Sequence, residues 1–414
     1  MAKFFNKENG VEYSKFEVKD MIVNQDDPEE MYHSTGIHNS AHWGQRKLGL
    51  ALVQLLTIYW DKEKVPNPIV VYAGAAHGLN IAVVADLFPD VTFELYDLGN
   101  FMIEPTDKIH IYKQYFTNET AEQWSNRNDI FFVSDIRRDV KIKDGVDPEI
   151  EKMIWEDMNM QADWYRIIKP IKCQLKFRLP YVEESTKDIF GNYVKYLGGT
   201  LYRGIWAPHH STECRLVPSG YDDVYWDIKK HELHMFYFNI KIRGIKKYVN
   251  PYYLSYYDNE ETRKYAFYPI DPPELLNDYD SMAETELWIL YLKKTGGNSN
   301  ATLDNVKALE KYLTIKINMG SSNKINIQFK RVLSEVFKMN SENKMAKKKL
   351  KYLKDQTKIL EQLQIINNTE VYLYNRFDFN NKKHWNNIAR TIISNINSPD
   401  PFLKSLSDRV MMLS

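Results

Sequence analysis

The sequence predicts an α/β protein organised around a parallel, doubly wound sheet. Short apolar runs rich in β-branched residues recur along the first half of the chain, with helical patterns between several of them. The first run, at 69–73, breaks at Gly74 and is followed by a helical stretch from Leu79 to Leu87. A strand, a glycine turn and a helix in this order open a nucleotide-binding α/β unit.

A helix is predicted ahead of this unit, from about Gln45. Its apolar residues recur at the spacing of one helix face, and the pattern stops near Pro66 and Pro68. These apolar positions are Leu48, Leu52, Leu55, Leu56 and Tyr59. We therefore expect an amphipathic helix that leads into the first strand.

Further strands are expected along the sequence after the glycine turn. The apolar runs that predict them lie at 91–96, 130–133, 173–179 and 214–217. The run at 91–96 ends at Asp97, and the run at 130–133 ends at Ser134 and Asp135. Together with the first run, these segments form the predicted sheet.

The chain divides into four predicted segments, which are 1–40, 41–250, 251–290 and 291–414. The first is acidic at 26–30 and poor in periodicity, so we expect an arm and not a core element. The second holds the sheet, and the third is a linker or an extension. The fourth is expected to be basic and mainly helical, because 301–360 contains 14 Lys and Arg against 5 Asp and Glu.

Composition excludes several classes of protein. Hydrophobic residues make up 43% of the 414 residues and aromatic residues 14%, which rules out wholesale disorder. Lys plus Arg and Asp plus Glu both number 55, so overall charge gives no argument for a polyanionic partner. Neither Cys173 nor Cys214 lies in a CxxC pair, so no structural zinc is expected. The polar N-terminus and the lack of a long apolar run predict a soluble, intracellular protein.

The loop from Gly74 to Gly78 and the acid at Asp97 predict an adenosine site. Two glycines around a tight turn let the backbone approach a ligand closely. Asp97, 19 residues past Gly78, is placed to accept both hydroxyls of a ribose. The alternative is a plain glycine turn followed by a helix-capping aspartate.

The same loop argues against two common nucleotide sites. It lacks the G-x-G-x-x-G pattern of dinucleotide binding and the G-K-[ST] pattern of a P-loop. It therefore fits S-adenosylmethionine better, because that cofactor has no phosphate to hold. Methyl transfer from a sulfonium asks the protein mainly to position the partners and to handle one proton.

Four charged residues lie far apart in the sequence and form a candidate catalytic set, namely Lys47, Asp135, Lys176 and Glu213. The last three sit at the ends of predicted strands or within them. A lysine inside an apolar strand can also mark a strand edge or a surface face. A strand edge or a surface face does not readily explain why all four charged residues occur in this order.

At these residues the sequence resembles the 2′-O-methyltransferases with a Lys-Asp-Lys-Glu catalytic tetrad, and among them the poxvirus-type cap-specific enzymes that also serve as poly(A) polymerase processivity subunits. The resemblance covers roughly residues 40–245. The matching motifs are Gly44-Gln45-x-Lys47-Leu48, Val70-Val71-Tyr72-x-Gly74-x-Ala76-x-Gly78, Ser134-Asp135-x-Arg137, Leu175-Lys176-x-Arg178-x-Pro180 and Ala207-Pro208-x-x-Ser211-x-Glu213-x-Arg215-Leu216. It implies a Rossmann-like methyltransferase sheet with a C-terminal helical appendage.

The resemblance implies that Lys176 deprotonates or steers a ribose 2′-hydroxyl, while Lys47, Asp135 and Glu213 set its charge state and orientation. It also implies cofactor contacts from Gln45, Tyr72, Gly74, Gly78, Asp97 and Asp135. The chain departs from the family twice. His77 stands where the family has proline between the loop glycines, and Gly99 stands where the poxvirus enzyme has an arginine.

Residues for binding an N7-methylguanosine cap are implied as well. The family stacks the base on an aromatic residue that corresponds to Tyr181, and carboxylates at Glu183 and Glu232 would accept the protons of the guanine edge. A second aromatic face would come from the N-terminal arm, where Tyr32 is the first choice and His33 and Tyr13 are alternatives.

The implied partners are capped mRNA and a poly(A) polymerase catalytic subunit, with no metal and no membrane. The implied source is a large DNA virus, whose protein would act in the cytoplasm of the host cell and in the virion. Two rivals stay open. One is a ribosomal- or transfer-RNA 2′-O-methyltransferase, which would lack the cap residues; the other is a non-catalytic processivity subunit, which would have a degraded tetrad.

Overall fold

The structure is a computed structural model of the 414-residue chain. It describes residues 4–6, 11–31, 44–138, 146–208, 211–249, 278–302, 304–310, 312–313 and 316–317. Most of the predicted basic C-terminal region, and Tyr32 with its alternative His33, lie outside these residues. The side chain of Tyr13 is likewise outside the description.

Two sheets are formed by the described residues. The strands are β1 (Phe4–Asn6), β2 (Val11–Lys15), β3 (Ile69–Ala73), β4 (Thr92–Tyr96), β5 (Ile109–Tyr112), β6 (Ile130–Ser134), β7 (Lys172–Phe177), β8 (Tyr193–Arg203), β9 (Cys214–Asp227) and β10 (Lys247–Val249). The large sheet has seven strands in the order β5-β4-β3-β6-β7-β9-β8, and the small one has the order β1-β2-β10. The predicted α/β fold with a Rossmann-like sheet is therefore confirmed.

The helices are α1 (Gly44–Tyr59), α2 (Leu79–Leu87), α3 (Asn118–Gln123), α4 (Pro148–Ile168), α5 (Lys187–Phe190), α6 (Ile228–Tyr237) and α7 (Tyr279–Gly296). A 3-10 turn, Val18–Met21, and a π-helix, Phe238–Arg243, join them. The bounds of α1 and α2 agree with the helices that apolar periodicity predicts. α4 begins at a Pro after the capping side chain of Asp147, which accepts from Glu149 N.

Helices cover both faces of the large sheet, as the alternating directions of the side chains along β7 show. Gln174 donates from its side chain to Ala51 O of α1 at 3.0 Å. Phe177 has the opposite parity and contacts the ring of Tyr196, which in turn contacts Trp155 of α4. β7 is thus buried on both sides, which explains its nearly continuous apolar sequence.

The sheet is parallel only in part. β3, β4, β5, β6 and β7 run parallel, whereas β9 is antiparallel to both β7 and β8. The prediction that the run at 214–217 continues a parallel sheet was therefore wrong. A hairpin explains this, because β8 and β9 pair over most of their length and β9 of this hairpin pairs with β7.

Two strands of the large sheet are absent from the sequence prediction. β5 is only four residues long and half-exposed, so it has no strong apolar run. β8 contains Gly198 and Gly199 at a register shift, and glycines in a strand weaken its sequence signal. A Cβ on Gly199 would lie 2.3 Å from Val217 O of β9, so only glycine permits this close pairing.

Residues 16–21 of the N-terminal segment pack into the core, where the sequence predicts an arm. Phe16 is 5% exposed and Met21 is fully buried. The Phe16 ring lies 5.1 Å from that of Tyr248 and 5.8 Å from that of Tyr279. The segment was missed because its buried residues are too few and too closely spaced to form a helical or strand period.

Helix α7 joins the same core from beyond the sheet. It runs across the boundary that the sequence suggests between 290 and 291, so that boundary does not separate two folded units. Asp280 of α7 forms a buried ion pair with Arg243 at 2.8 Å. Glu284 forms a second buried ion pair, with Arg46 of α1. The other segment boundaries stay predictions.

None of the helices in the described ranges is long and apolar enough to cross a membrane. Within the same ranges, His, Cys, Asp and Glu side chains form no group of three or more that could hold a metal ion.

The Arg46–Glu284 pair generates a stability prediction. Both side chains are at most 5% exposed, and Glu284 also accepts from Trp206 Nε1 at 2.6 Å and from Trp288 Nε1 at 3.0 Å. Glu284→Gln removes the buried negative charge that faces Arg46, so the free energy of unfolding should fall by about 3–5 kcal/mol. Denaturant unfolding of the two proteins measures the difference.

The matched control is Asp90→Asn, which removes the exposed ion pair between Lys62 and Asp90. Exposed pairs contribute roughly 0–1 kcal/mol, so this variant should stay close to the wild type. Equal losses of unfolding free energy in the two variants would show that the buried pair stabilises the fold no more than the exposed one.

Candidate active site

The four candidate catalytic residues converge at the carboxyl end of the large sheet. Lys47 comes from the first turn of α1, Asp135 follows β6, Lys176 lies near the end of β7, and Glu213 precedes β9. We call these four residues the tetrad. No two of them are neighbours in sequence, so the packing of α1 against the sheet is what brings them together.

Ion pairs connect the tetrad into one unit. Glu213 reaches Lys47 Nζ at 2.6 Å through one carboxylate oxygen and Lys176 Nζ at 3.7 Å through the other. Lys176 Nζ lies 3.2 Å from Asp135 Oδ1. The four side chains are only 12–18% exposed, so solvent screens these contacts weakly.

Arg215 is a fifth charged member, for which no role was predicted. Its Nη2 lies 2.7 Å from Asp135 Oδ1 and 3.2 Å from Glu213 Oε1. These are close ion contacts without hydrogen-bond geometry. Arg215 stands two residues past Glu213 and directly opposite Lys176 in the sheet register. The alternation of side chains along a strand was the signal that could have found it.

Burial and charge set the protonation of the cluster. Burial lowers the pKa of the Lys47 amine, and this outweighs the nearby carboxylates, which raise it. Burial alone would raise the pKa of Glu213, but Lys47, Lys176 and Arg215 outweigh it and hold that pKa well below its ordinary value. The pKa of Asp135 is lowered for the same reason. Both carboxylates are therefore ionised at neutral pH.

The strand order reverses between β3 and β6, beside the tetrad. Open α/β sheets bind ligands at such a switch point, and we call this position the crevice. Gly74 follows β3 with a φ of +81°, and a Cβ there would lie 2.9 Å from Ile136 N. Gly78 starts α2 with a φ of +84°, and its Cβ would meet the Ile103 side chain at 2.8 Å. Both positions require glycine because of their backbone conformation and their close neighbours.

Asp97 fixes this loop with its carboxylate. It accepts from Ala76 N at 2.9 Å and from Gly99 N at 2.7 Å, one bond to each oxygen. Because a carboxylate has about four acceptor positions, this half-buried group keeps capacity for further donors. Gly99, one of the two departures from the family, thus bonds the predicted ribose acid through its backbone.

The other predicted cofactor residues lie around the same crevice. Gln45 Oε1 accepts from Asn80 N in the first turn of α2, at 3.4 Å. Tyr72, near the end of β3, is 2% exposed, and burial raises the pKa of its hydroxyl, which therefore stays protonated. His77, the second departure, lies in the loop with its Nδ1 3.0 Å from Asn100 O.

Tyr181 is tied to the site at three points. Its ring is covered on one side by the Arg178 guanidinium, 4.2 Å from the ring centre. Its backbone N donates to Glu151, which also holds Arg178 in a two-bond ion pair. Its hydroxyl lies 3.2 Å from Thr212 Oγ1. The Tyr181 side chain is half-buried, with Arg178 on one face of its ring.

The two predicted cap carboxylates have different surroundings. Glu183 is exposed in the turn after Tyr181, where its backbone N donates to Thr186 Oγ1 at 2.9 Å. Glu232 lies on α6 with its side chain 15% exposed and forms an ion pair with Lys229 at 2.7 Å. We use the term cap slot for the three predicted cap residues, Tyr181, Glu183 and Glu232.

The loop before Glu213 is held by buried polar groups from α6 and beyond. His231 Nε2 lies 3.3 Å from Thr212 O, and Asn239 donates to Ser211 O at 3.0 Å. Arg243 donates to Ala207 O at 2.9 Å while paired with Asp280. None of these contacts was predicted from the sequence.

His231 generates a prediction about pH. Burial lowers its pKa from the ordinary 6.5 to about 4, so the unfolded chain binds a proton between these values and the folded chain does not. Stability from the neutral ring is thus present above about pH 6.5 and lost as the pH falls towards about 4. The difference in unfolding free energy between wild type and His231→Gln should therefore shrink between about pH 7.5 and about pH 5. A difference that stays constant in urea titrations would contradict this.

Comparison with known proteins places the chain in a family. No match was found among curated individual proteins. A family model described as the poly(A) polymerase regulatory subunit matches residues 17–289. This match covers more than half of the 414 residues and includes the tetrad, the crevice and most of α7. The chain therefore belongs to the family of poly(A) polymerase regulatory subunits.

Proposed function

We propose that the protein transfers a methyl group from S-adenosylmethionine to the ribose 2′-hydroxyl of the first transcribed nucleotide of capped mRNA. One observation carries the proposal, namely the convergence of the tetrad from four separate elements beside the crevice at the carboxyl end of the sheet. Ligands of open α/β sheets bind at this kind of crevice, so the tetrad lies where a reacting group would be.

The crevice has the chemistry that the adenosine part of the cofactor requires. Gly74 and Gly78 bring bare backbone to its edge, and Asp97 keeps free acceptor positions for ribose hydroxyls. The loop contains no lysine or arginine, which a triphosphate would require. The proposed cofactor contacts are Gln45, Tyr72, Gly74, Gly78, Asp97 and Asp135.

Lys176 is the proposed catalytic group. The cofactor supplies a methyl group on a positive sulfur, and the 2′-hydroxyl must lose its proton as it takes that methyl. Lys176 Nζ orients the hydroxyl and receives the proton, and the resulting ammonium is stabilised by Asp135 at 3.2 Å and Glu213 at 3.7 Å. Lys47 and Arg215 oppose that charge, which returns the proton to solvent afterwards.

The cap slot supplies the selectivity for capped RNA. Arg178 backs one face of Tyr181, so a cationic methylguanine would stack on the other face. Glu232 and Glu183 are the proposed acceptors for the guanine edge. Tyr32 remains the proposed second stacking residue, because nearby Glu30 N donates to Leu233 O, next to Glu232, at 3.2 Å. The N-terminal segment thus reaches the cap slot just before Tyr32.

A second function is favoured by the family match. A regulatory subunit implies a poly(A) polymerase as partner, and we propose that this chain binds the catalytic subunit of one. The two functions are compatible, because the tetrad and the crevice occupy only one end of the sheet. The basic residues of 301–360 are a candidate surface for RNA or for the polymerase.

The tetrad generates a kinetic prediction. Lys176→Met should lower kcat by about 100-fold to 10,000-fold and leave affinity for cofactor and capped RNA within about twofold, because a positioned base acts mainly on rate. Lys172→Met, four residues earlier on β7, is the matched control and should keep wild-type turnover. Turnover assays with radiolabelled methyl donor test both, and wild-type kcat in Lys176→Met would remove its catalytic role.

The crevice generates a binding prediction. Asp97→Ala should weaken cofactor binding measured by calorimetry, because ribose acceptors are lost and the backbone bonds from Ala76 and Gly99 are broken. Asp107→Ala, an exposed aspartate on the following loop, should bind as the wild type does. Equal cofactor affinity in the wild type and Asp97→Ala would count against this site.

The cap slot generates a prediction about selectivity. Tyr181→Ala should weaken cap binding by roughly 1–3 kcal/mol and narrow the preference for N7-methylated over unmethylated cap, because stacking strengthens when the ring is cationic. Glu232→Gln should weaken both forms alike, since the guanine edge is common to them. Tyr225→Ala, an exposed tyrosine on β9, is the control.

Competition binding with the two cap dinucleotides measures these effects. Equal wild-type affinity for both dinucleotides would remove the cap-specific function and leave a general RNA 2′-O-methyltransferase, such as one acting on ribosomal or transfer RNA.

A further inference from the structure

Thr212 lies between the cap slot and the tetrad. It is 2% exposed and is the residue immediately before Glu213. Its hydroxyl oxygen lies 3.2 Å from the hydroxyl of Tyr181, and its carbonyl oxygen lies 3.3 Å from His231 Nε2. The side-chain hydroxyl and the backbone carbonyl of Thr212 are therefore both in contact with residues on elements that carry the cap slot.

The contact with His231 fixes the backbone. For Thr212 O to accept a hydrogen bond, the imidazole proton must be on Nε2. The His231 ring packs edge-on against Phe177, which follows Lys176 on β7, at 5.3 Å. His231 also precedes Glu232 on α6. The same histidine thus connects the loop, the strand of the catalytic lysine and the helix of a cap carboxylate.

The loop leads directly to the tetrad. Glu213 N donates to Ser211 Oγ at 3.1 Å, which closes a tight turn around Thr212. The carboxylate of Glu213 then contacts both lysines, Lys47 at 2.6 Å and Lys176 at 3.7 Å. A displacement of Thr212 would therefore move the carboxylate that holds both lysines.

We propose that Thr212 is a positioning residue that couples an occupied cap slot to the tetrad. The inference rests on the proposed function. A base that stacks on Tyr181 presses its ring against Arg178 and so fixes the hydroxyl at the ring edge. The fixed hydroxyl holds Thr212, and Glu213 is then kept in reach of Lys47 and Lys176. Cap recognition thereby raises turnover as well as affinity.

A double-mutant cycle tests the coupling on the full-length protein with N7-methylated capped RNA. Tyr181→Phe keeps the stacking ring and removes only the hydroxyl, and Thr212→Val removes the other partner. Each should lower kcat about threefold to tenfold and leave KM and cap affinity within about twofold. The double variant should be no slower than either single one, because all three lack the same hydrogen bond. Thr212→Ser, which keeps the hydroxyl, should retain wild-type kcat.

These outcomes separate coupling from a purely structural role. A purely structural role would lower thermal stability and the fraction of active protein. It would not give the non-additive loss of kcat, and Thr212→Ser would not restore kcat. Tyr181→Phe with wild-type kcat, or losses that multiply in the double variant, would overturn the coupling even if Thr212→Val fails to fold. Absence of methyl transfer in the wild type would instead overturn the proposed function, and the coupling with it.

Discussion

The site depends on a balance of buried charge. Glu213 and Asp135 each contact Lys176 and Arg215, and Glu213 also holds Lys47. Taking such ions out of water is unfavourable, and the loss is offset only when every charge keeps its partners. Removal of any one member would leave another charge of the cluster with fewer partners. Rigid charges that need no rearrangement during the reaction are what stabilises a developing charge most effectively.

A second layer of buried ion pairs holds the first in place. Arg46 adjoins Lys47 on α1, and its pair with Glu284 fixes the helix turn that presents the lysine. Arg243 and Asp280 hold the chain on the other side of the tetrad, where the loop approaches Glu213. Both pairs use α7, so a helix outside the sheet domain expected from the sequence orients two members of the tetrad.

The residues that could be predicted from the sequence share one property. Asp97, Asp135 and Lys176 stand at or near the ends of apolar runs, where a parallel sheet places functional groups. By contrast, Thr212 meets His231 and Tyr181, 19 and 31 residues away, and Arg46 meets Glu284 across 238 residues. No local period marks such pairs, because they depend on packing. The antiparallel β8–β9 hairpin was missed for a related reason, since its glycines interrupt the strand signal.

The family match and the proposed chemistry make different demands on the molecule. Binding to a polymerase requires a complementary surface, which exposed residues supply with no need for buried charge. Five charged side chains that are 6–18% exposed and in mutual contact add nothing to such a surface. They would be replaced by apolar residues with little loss of stability if the sheet were only a scaffold. The charge cluster is therefore accounted for better by the proposed reaction at this end of the sheet than by a scaffold role alone.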